Sequence, residues 1–442
     1  MKRTESEKLC FCFCPFSFLK GEYTMSMAVM SLILMAILGI ILLSNKLPVA
    51  TVSMAGALVC GMLGFIKYPE VFSGLAGTAA VLLMSMMVIG GSLFHTGLAE
   101  KMSNAFLKVT GTTERGMIIA IMSLAALLSA ICNNVGVVTT LYPIVMDMCK
   151  RTRTSPSRLL MPLGYGAAVG GIITLVGTST SVITSTALET THGIAFGFLD
   201  VGYIGIPMSI LSVIYMATLG RKILPNYEYN FDEIAEVDRT QISSKKMLLS
   251  AVILICILAV MIVKPKGIPL YVIAASGAII LILAGCITEK QAIQSISWPT
   301  IAICGGMMAV STSIMKTGGG KIIADSIVQI LGNNANPYIV VFVFFTVVVI
   351  MTQFLSNIST AALMAPLAMF IADGLHLNPF AFAMMVAVGV NAALITPVGT
   401  QSLTVIWEPG HYKFTDFVKV GMPILLINYF CVMVLLPLLW PF

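Results

Sequence analysis

Cys132-Asn133-Asn134-Val135 lies in the middle of an uncharged stretch, Gly116 to Met146, that is too long for one membrane helix. At 1.5 Å per residue it would run about 46 Å, against a hydrocarbon core of about 30 Å. A second uncharged stretch, Ser326 to Ala372, carries Ser356-Asn357-Ile358-Ser359-Thr360 near its centre. Legs of about 12 residues on either side of each polar centre would reach roughly 18 Å, about half the membrane. Each stretch therefore reads as a re-entrant helical hairpin with its polar tip near the midplane. Such a turn survives only where protein or water covers its backbone.

The rest of the chain supplies the membrane around these hairpins. Among 442 residues there are 25 Lys and Arg and 19 Asp and Glu, 10% in all, where a soluble protein carries roughly a quarter. Apolar residues make up 58%, and the mean hydropathy is +0.98. An ordinary soluble enzyme is excluded. The pattern predicts an all-α polytopic protein of the cell membrane, plasma or inner, with about ten spans plus the two hairpins. The net charge of +6 is explained by Lys and Arg in cytoplasmic loops, so no nucleic-acid partner is expected. Seven of the ten cysteines lie in or beside apolar runs, where Cys is a small hydrophobe. The others form Cys10-Phe-Cys-Phe-Cys14 with no His or carboxylate beside them. Residues 1–25 are taken as a non-structural segment, and translation starting at Met25 or Met27 fits the first span.

An internal repeat orders the spans. His95-Thr96-Gly97 matches Lys316-Thr317-Gly318, Asn133-Asn134 matches Ser356-Asn357, and Tyr142-Pro143 matches Ala365-Pro366. Val176-Gly177-Thr178 matches Val398-Gly399-Thr400, and Gly205-Ile206-Pro207 matches Gly421-Met422-Pro423. The predicted organisation is a first repeat at 26–220, with its hairpin at about 116–149 and a broken helix at about 159–188. A charged linker at 221–246 follows. The second repeat, 247–442, has its hairpin at about 338–375 and its broken helix at about 379–406. Five spans separate the hairpins, so the repeats are inverted. Charge agrees: Lys101, Lys108, Arg115, Lys150, Arg151, Arg153 and Arg158 flank the first hairpin, but only Lys316 and Lys321 flank the second. The positive-inside rule places the first mouth in the cytoplasm and the second outside. Inverted repeats with broken helices point to a secondary transporter with a midplane site.

The helix after each hairpin is predicted to break at Gly177-Thr178-Ser179-Thr180-Ser181 and at Thr396-Pro397-Val398-Gly399-Thr400-Gln401-Ser402. Freed carbonyls with Ser, Thr and Asn oxygens suit Na⁺, and helix N-termini suit a carboxylate. No Asp or Glu lies inside a predicted span, which leaves a carboxylate proton relay without a carrier. His95, His192, His376 and His411 fall near loops and form no metal pair, and Gly97 to Val109 reads as an in-plane helix with a mate at Gly320 to Leu331. No cofactor is expected. A channel, an anion exchanger and a membrane enzyme remain as rivals, the enzyme weakest because no metal-binding His-Glu-x-x-His motif or nucleophile elbow appears.

From about Met25 onward the chain resembles the divalent-anion:sodium symporter family of the ion-transporter superfamily. The resemblance rests on Asn133-Asn134-Val135 and Ser356-Asn357-Ile358, where that family has Ser-Asn-Thr at each tip, on Gly410 to Gly421, and on His95-Thr96-Gly97-Leu98-Ala99-Glu100. It implies a homodimeric elevator-type carrier that couples a C4-dicarboxylate or similar anion to Na⁺. It implies one Na⁺ site at Ser129, Asn133, Asn134 and Gly177, and another at Thr352, Ser356, Asn357 and Gly399. The anion would sit near Asn134, Val135, Thr178, Asn357, Ile358 and Thr400. Val135 and Ile358 lack the hydroxyl that the family carries there, and Ser181 and Leu403 replace an Asn, so sulfate or another small anion stays open as cargo.

Overall fold

The computed structural model describes residues 26–442 other than 45, 99–100, 102–112, 230–243, 264, 266 and 332–335. The cysteine cluster at Cys10 to Cys14, most of the in-plane helix predicted at Gly97 to Val109 and the middle of the linker lie outside the described residues. What is described is helical, with no strand. In the first half the main helices are α1 (Met27–Ser44), α2 (Val49–Met62), α3 (Thr78–His95), α4 (Glu114–Ser129), α5 (Asn134–Thr152), α6 (Pro156–Gly170), α7 (Ser179–His192) and α8 (Gly202–Tyr215). The second half contributes α9 (Ser244–Val263), α10 (Leu270–Leu283), α11 (Trp298–Thr317), α12 (Gly319–Leu331), α13 (Pro337–Phe354), α14 (Asn357–Gly374), α15 (Pro379–Gly389), α16 (Gln401–Trp407) and α17 (Phe414–Leu439). Seven helices among the described residues are long and apolar enough to cross a membrane. Both legs of the second hairpin are among them.

Both hairpins are present, but their legs are longer than predicted. They run 16 and 19 residues in α4 and α5, and 18 each in α13 and α14. That is about 24–28 Å per leg rather than half a membrane. In the first hairpin the extension comes from charged ends that stay helical. Thr113 caps α4 by accepting from Gly116 N at 3.2 Å. At the other end, α5 runs through Lys150 and Arg151 to Arg153, which adopts a left-handed conformation. Basic residues there favour the negative helix C-terminus.

The breaks also begin earlier than predicted. Residues 171–178 and 390–400 are unwound, whereas Ser179 to Ser181 and Gln401-Ser402 are already helical. The reason is tertiary. A Cβ on Gly205 would lie 2.0 Å from the Ile172 carbonyl oxygen, and one on its repeat mate Gly421 would lie 1.8 Å from that of Leu394. The α8 and α17 backbones thus press on equivalent points of the two unwound segments. Tyr165 reaches across with its hydroxyl, 2.9 Å from Leu394 O and 3.0 Å from Phe417 O. These partners lie far away in sequence, so a local reading of Ile172 and Leu394 sees only apolar helix.

In lipid, helices associate through close packing and hydrogen bonds rather than through exclusion of water. Gly166 and Gly170 show this, because a Cβ on either would meet the backbone of Met122 or Ala126 within 2.5 Å. α6 therefore lies flush against α4. The halves then interlock crosswise: α7 packs on α14 and α15, while α16 packs on α5 and α6. Hairpins and broken helices form one body. A second group pairs α1 and α2 with α11, and α3 and α9 with α10, and α7 meets it through α3 and α11.

The linker leaves α8 through a short π-helical turn at Met216–Gly220 and then docks on the first body. Ser155 Oγ donates to Tyr227 O at 2.6 Å, Ser157 Oγ to Pro225 O at 2.9 Å, and Arg158 Nη2 to Arg221 O at 2.7 Å. The Tyr227 hydroxyl donates to Asp416 Oδ2 at 2.7 Å, and this bond, followed by burial, pushes the Tyr227 phenol up to about 12.

Candidate functional site

Four helices begin at one place. Asn133 caps α5 and accepts from Val135 N at 2.9 Å, and Ser356 caps α14 and accepts from Ser359 N at 3.2 Å. Thr178 and Thr400 occupy the cap positions of α7 and α16, but neither side chain accepts a backbone N–H of its own helix. All four cap residues line a single cavity of about 280 Å³. Among the described residues, no Asp, Glu, Lys, Arg or His lines it. Its electrostatics come from backbone N–H groups, each helix start carrying up to about half a positive charge.

The structure brings most of the predicted residues to this wall: Asn133, Asn134, Gly177, Thr178, Ser356, Asn357, Ile358, Gly399 and Thr400. Val135 is not among the residues lining the cavity. Ser129 and Thr352 stand behind the wall, fully buried. Ser129 Oγ donates to Asn134 Oδ1 at 2.5 Å, and its mate Thr352 lies 2.8 Å from the Asn357 amide.

The two wall segments repeat one another closely. Gly177 N donates to Thr174 Oγ1 at 3.2 Å, and Thr174 in turn donates to Ala130 O. In the second half Gly399 N donates to Thr396 Oγ1 at 3.3 Å, and Thr396 donates to Gln353 O at 2.7 Å. A Cβ on Gly177 would sit 2.8 Å from Ser129 O, and one on Gly399 would sit 2.5 Å from Thr352 O. Only glycine fits at either position. One terminal atom of the Asn357 amide sits 2.8 Å from Thr352 Oγ1, 2.9 Å from Gly399 O and 3.1 Å from Val390 O. With nitrogen there it donates to these oxygens. The surrounding oxygens, two of them carbonyls, favour that orientation.

Several wall residues escaped the sequence reading. Asn391 donates to Thr180 Oγ1 at 2.9 Å and to Ala387 O at 2.8 Å. Thr180 donates to Thr178 Oγ1 at 3.0 Å, so a polar chain crosses between the halves. The available signal was a lone Asn among the apolar residues from Phe380 to Leu394. Gln353 staples the second unwound segment, donating to Ala392 O at 2.8 Å and accepting from Ile395 N at 3.3 Å. Its repeat mate is Ala130, so the first segment lacks this staple. Met86, Met87, Ser297 and Thr300 reach the cavity from α3 and the start of α11, and nothing in their local pattern announced it.

The histidines fall at helix ends or in turns. His192 Nε2 is 2.8 Å from Asp373 Oδ1, joining the last turns of α7 and α14 across the halves. His95 ends α3 exposed to its surroundings.

The citrate transporter (CitMHS) family model matches residues 39–389. An uncharacterized transporter of Escherichia coli, YfbS, is 23% identical over 94% of this chain and 99% of its own length. The sodium-dependent dicarboxylate transporter SdcS of Staphylococcus saprophyticus is 20% identical, covering 87% of this chain and 81% of its own. Among solved structures, the YdaH transporter of Alcanivorax borkumensis, described as having an unusual topology, superposes with a TM-score of 0.63 at 14% identity. The match covers 94% of this chain and 98% of that one.

Proposed function

This chain belongs to the citrate transporter (CitMHS) family and is a secondary transporter, and we propose that its cargo is a small organic dianion, a C4-dicarboxylate, carried together with Na⁺. The observation that carries this reading is the meeting of four helix starts at one cavity with no charged side chain among its described lining residues. Backbone N–H groups favour an anion there without any fixed cation. A volume of about 280 Å³ stands at the small end of ligand pockets, which favours compact solutes. Na⁺ is assigned to the oxygen clusters around Asn134 and Asn357, beside Gly177 and Gly399. The anion is assigned between the tips, against Asn134, Thr178, Asn357, Ile358 and Thr400. A relative named as a sodium-dependent dicarboxylate transporter supports the pairing.

In this reading the body of hairpins and broken helices moves as an elevator against the group built on α2, α3, α10 and α11, within a homodimer. The test is uptake into proteoliposomes loaded without Na⁺. Succinate should accumulate only when Na⁺ is outside, with citrate and sulfate as parallel cargoes. Uptake indifferent to Na⁺ would remove the coupling and favour anion exchange. Accumulation of citrate or sulfate in preference to succinate would reassign the cargo.

A further inference from the structure

The cavity wall has two parts of different origin. Most of its polar groups come from the hairpins and broken helices, such as Asn134, Thr180, Asn357 and Asn391. The opposing α3 surface is apolar, with Leu83, Met86 and Met87. Among the described residues, only Ser297 and Thr300, at the start of α11, bring hydroxyls from that side. Their oxygens are 2.9 Å apart, and Ser297 does not cap its own helix. This leaves the pair, which shares one of its two protons internally, with a hydroxyl proton to donate to a third group.

The repeat makes the pair one-sided. Counting back from His95-Thr96-Gly97 and Lys316-Thr317-Gly318, Ser297 and Thr300 correspond to Ala76 and Ala79. The first half therefore has no hydroxyl at either equivalent position. Because α11 runs toward the second hairpin, whose mouth faces outward, its start lies toward the cytoplasm.

We propose that Ser297 and Thr300 are specificity-determining residues that hydrogen-bond the carried anion only while the site opens to the cytoplasm. When the body shifts outward, the anion meets the first-half surface, where alanines replace them. The affinity for the anion then differs between the two faces of the membrane, tighter inside, and this sets the cytoplasmic concentration at which release stalls. The inference rests on the anion reading above.

The experiment measures KM for succinate, citrate and sulfate in right-side-out and inside-out membrane vesicles. The proteins compared are the wild type, the double variant Ser297→Ala with Thr300→Val, and Ala79→Ser. The double variant should raise KM at the cytoplasmic face by about fivefold or more, the loss of one or two neutral hydrogen bonds. Its external KM and its Na⁺ dependence should stay as in the wild type. Ala79→Ser should lower the external KM only, and it decides the matter if the double variant fails to assemble. An unchanged cytoplasmic KM, or an equal rise at both faces, would overturn the assignment. Wild-type vesicles that carry none of the three anions would instead overturn the cargo reading itself.

Discussion

Asn391 and Thr180, 211 residues apart, are hydrogen-bonded at the cavity wall, with Asn391 Nδ2 donating to Thr180 Oγ1 at 2.9 Å. The bond ties the unwound segment of the second half to the broken helix of the first. It is buried, with Asn391 5% and Thr180 3% exposed. Asn391→Ala removes this donor and leaves Thr180 short of a partner, at a cost of about 1–3 kcal/mol. Thermal unfolding in detergent should show the loss. A double-mutant cycle with Thr180→Val should show the two substitutions falling short of additivity, and full additivity would mean that the bond is not made.

Gly177 and Gly399 should tolerate no side chain. An added Cβ would sit 2.4 Å from Gly171 O in the first case and 2.5 Å from Thr352 O in the second. Gly177→Ala and Gly399→Ala should each destabilise the body by about 1–3 kcal/mol or more and lower transport. Gly193→Ala serves as the contrast. That glycine has open space around it but a φ of 69°, so its cost is only the backbone strain of about 1 kcal/mol. Equal losses at all three would show that the carbonyl cages are looser than the geometry states.

Na⁺ binding is expected to stabilise the folded protein by mass action, RT ln(1 + [Na⁺]/Kd). Melting curves should therefore rise with NaCl and stay level with choline chloride at equal ionic strength. Asn134→Ala and Asn357→Ala should each flatten the NaCl curve, because a neutral-oxygen site has few ligands to lose. An Na⁺ response that survives in both variants would detach the ion from these residues.

Tyr227 and Asp416 hold the start of the linker to the body of hairpins and broken helices. The bond pushes the Tyr227 phenol up to about 12, above the ordinary value of about 10. A raised folded value means that the contribution is complete below about pH 10 and declines only as pH climbs through the folded value. Tyr227→Phe should thus lower stability by about 1.5 kcal/mol, with no pH dependence of the difference between pH 6 and pH 9. Phenolate absorbance should also lose one tyrosine that titrates above the ordinary range. A difference that changes across this pH window would point to some other titrating group.

The hairpins were legible because they offend a length rule: an uncharged run of more than thirty residues with Asn at its centre cannot be one span. The repeat was legible because Gly, Pro and Asn hold their register where apolar letters carry little information. Gly177 and Gly399 were found this way, and the close carbonyls around them give the reason for the match. Leg length was not legible, since Glu114 and the Lys150-Arg151 pair read as loop until capping and the helix dipole are counted. The unwinding at Ile172 and Leu394 was hidden because the groups pressing on those carbonyls, Gly205, Gly421 and Tyr165, belong to other helices.

By itself the sequence determined that the chain is a membrane protein of two inverted halves, each with a hairpin and a broken helix, because hydropathy and the spacing of helix-breaking residues are local quantities. The tertiary structure alone decided that the halves interlock crosswise, that four helix starts share one cavity, and that Asn391, Ser297 and Thr300 stand on its wall. Those facts depend on which distant backbones approach closely enough to touch, and side-chain volume and hydrogen-bond geometry settle that only when all the helices are packed together.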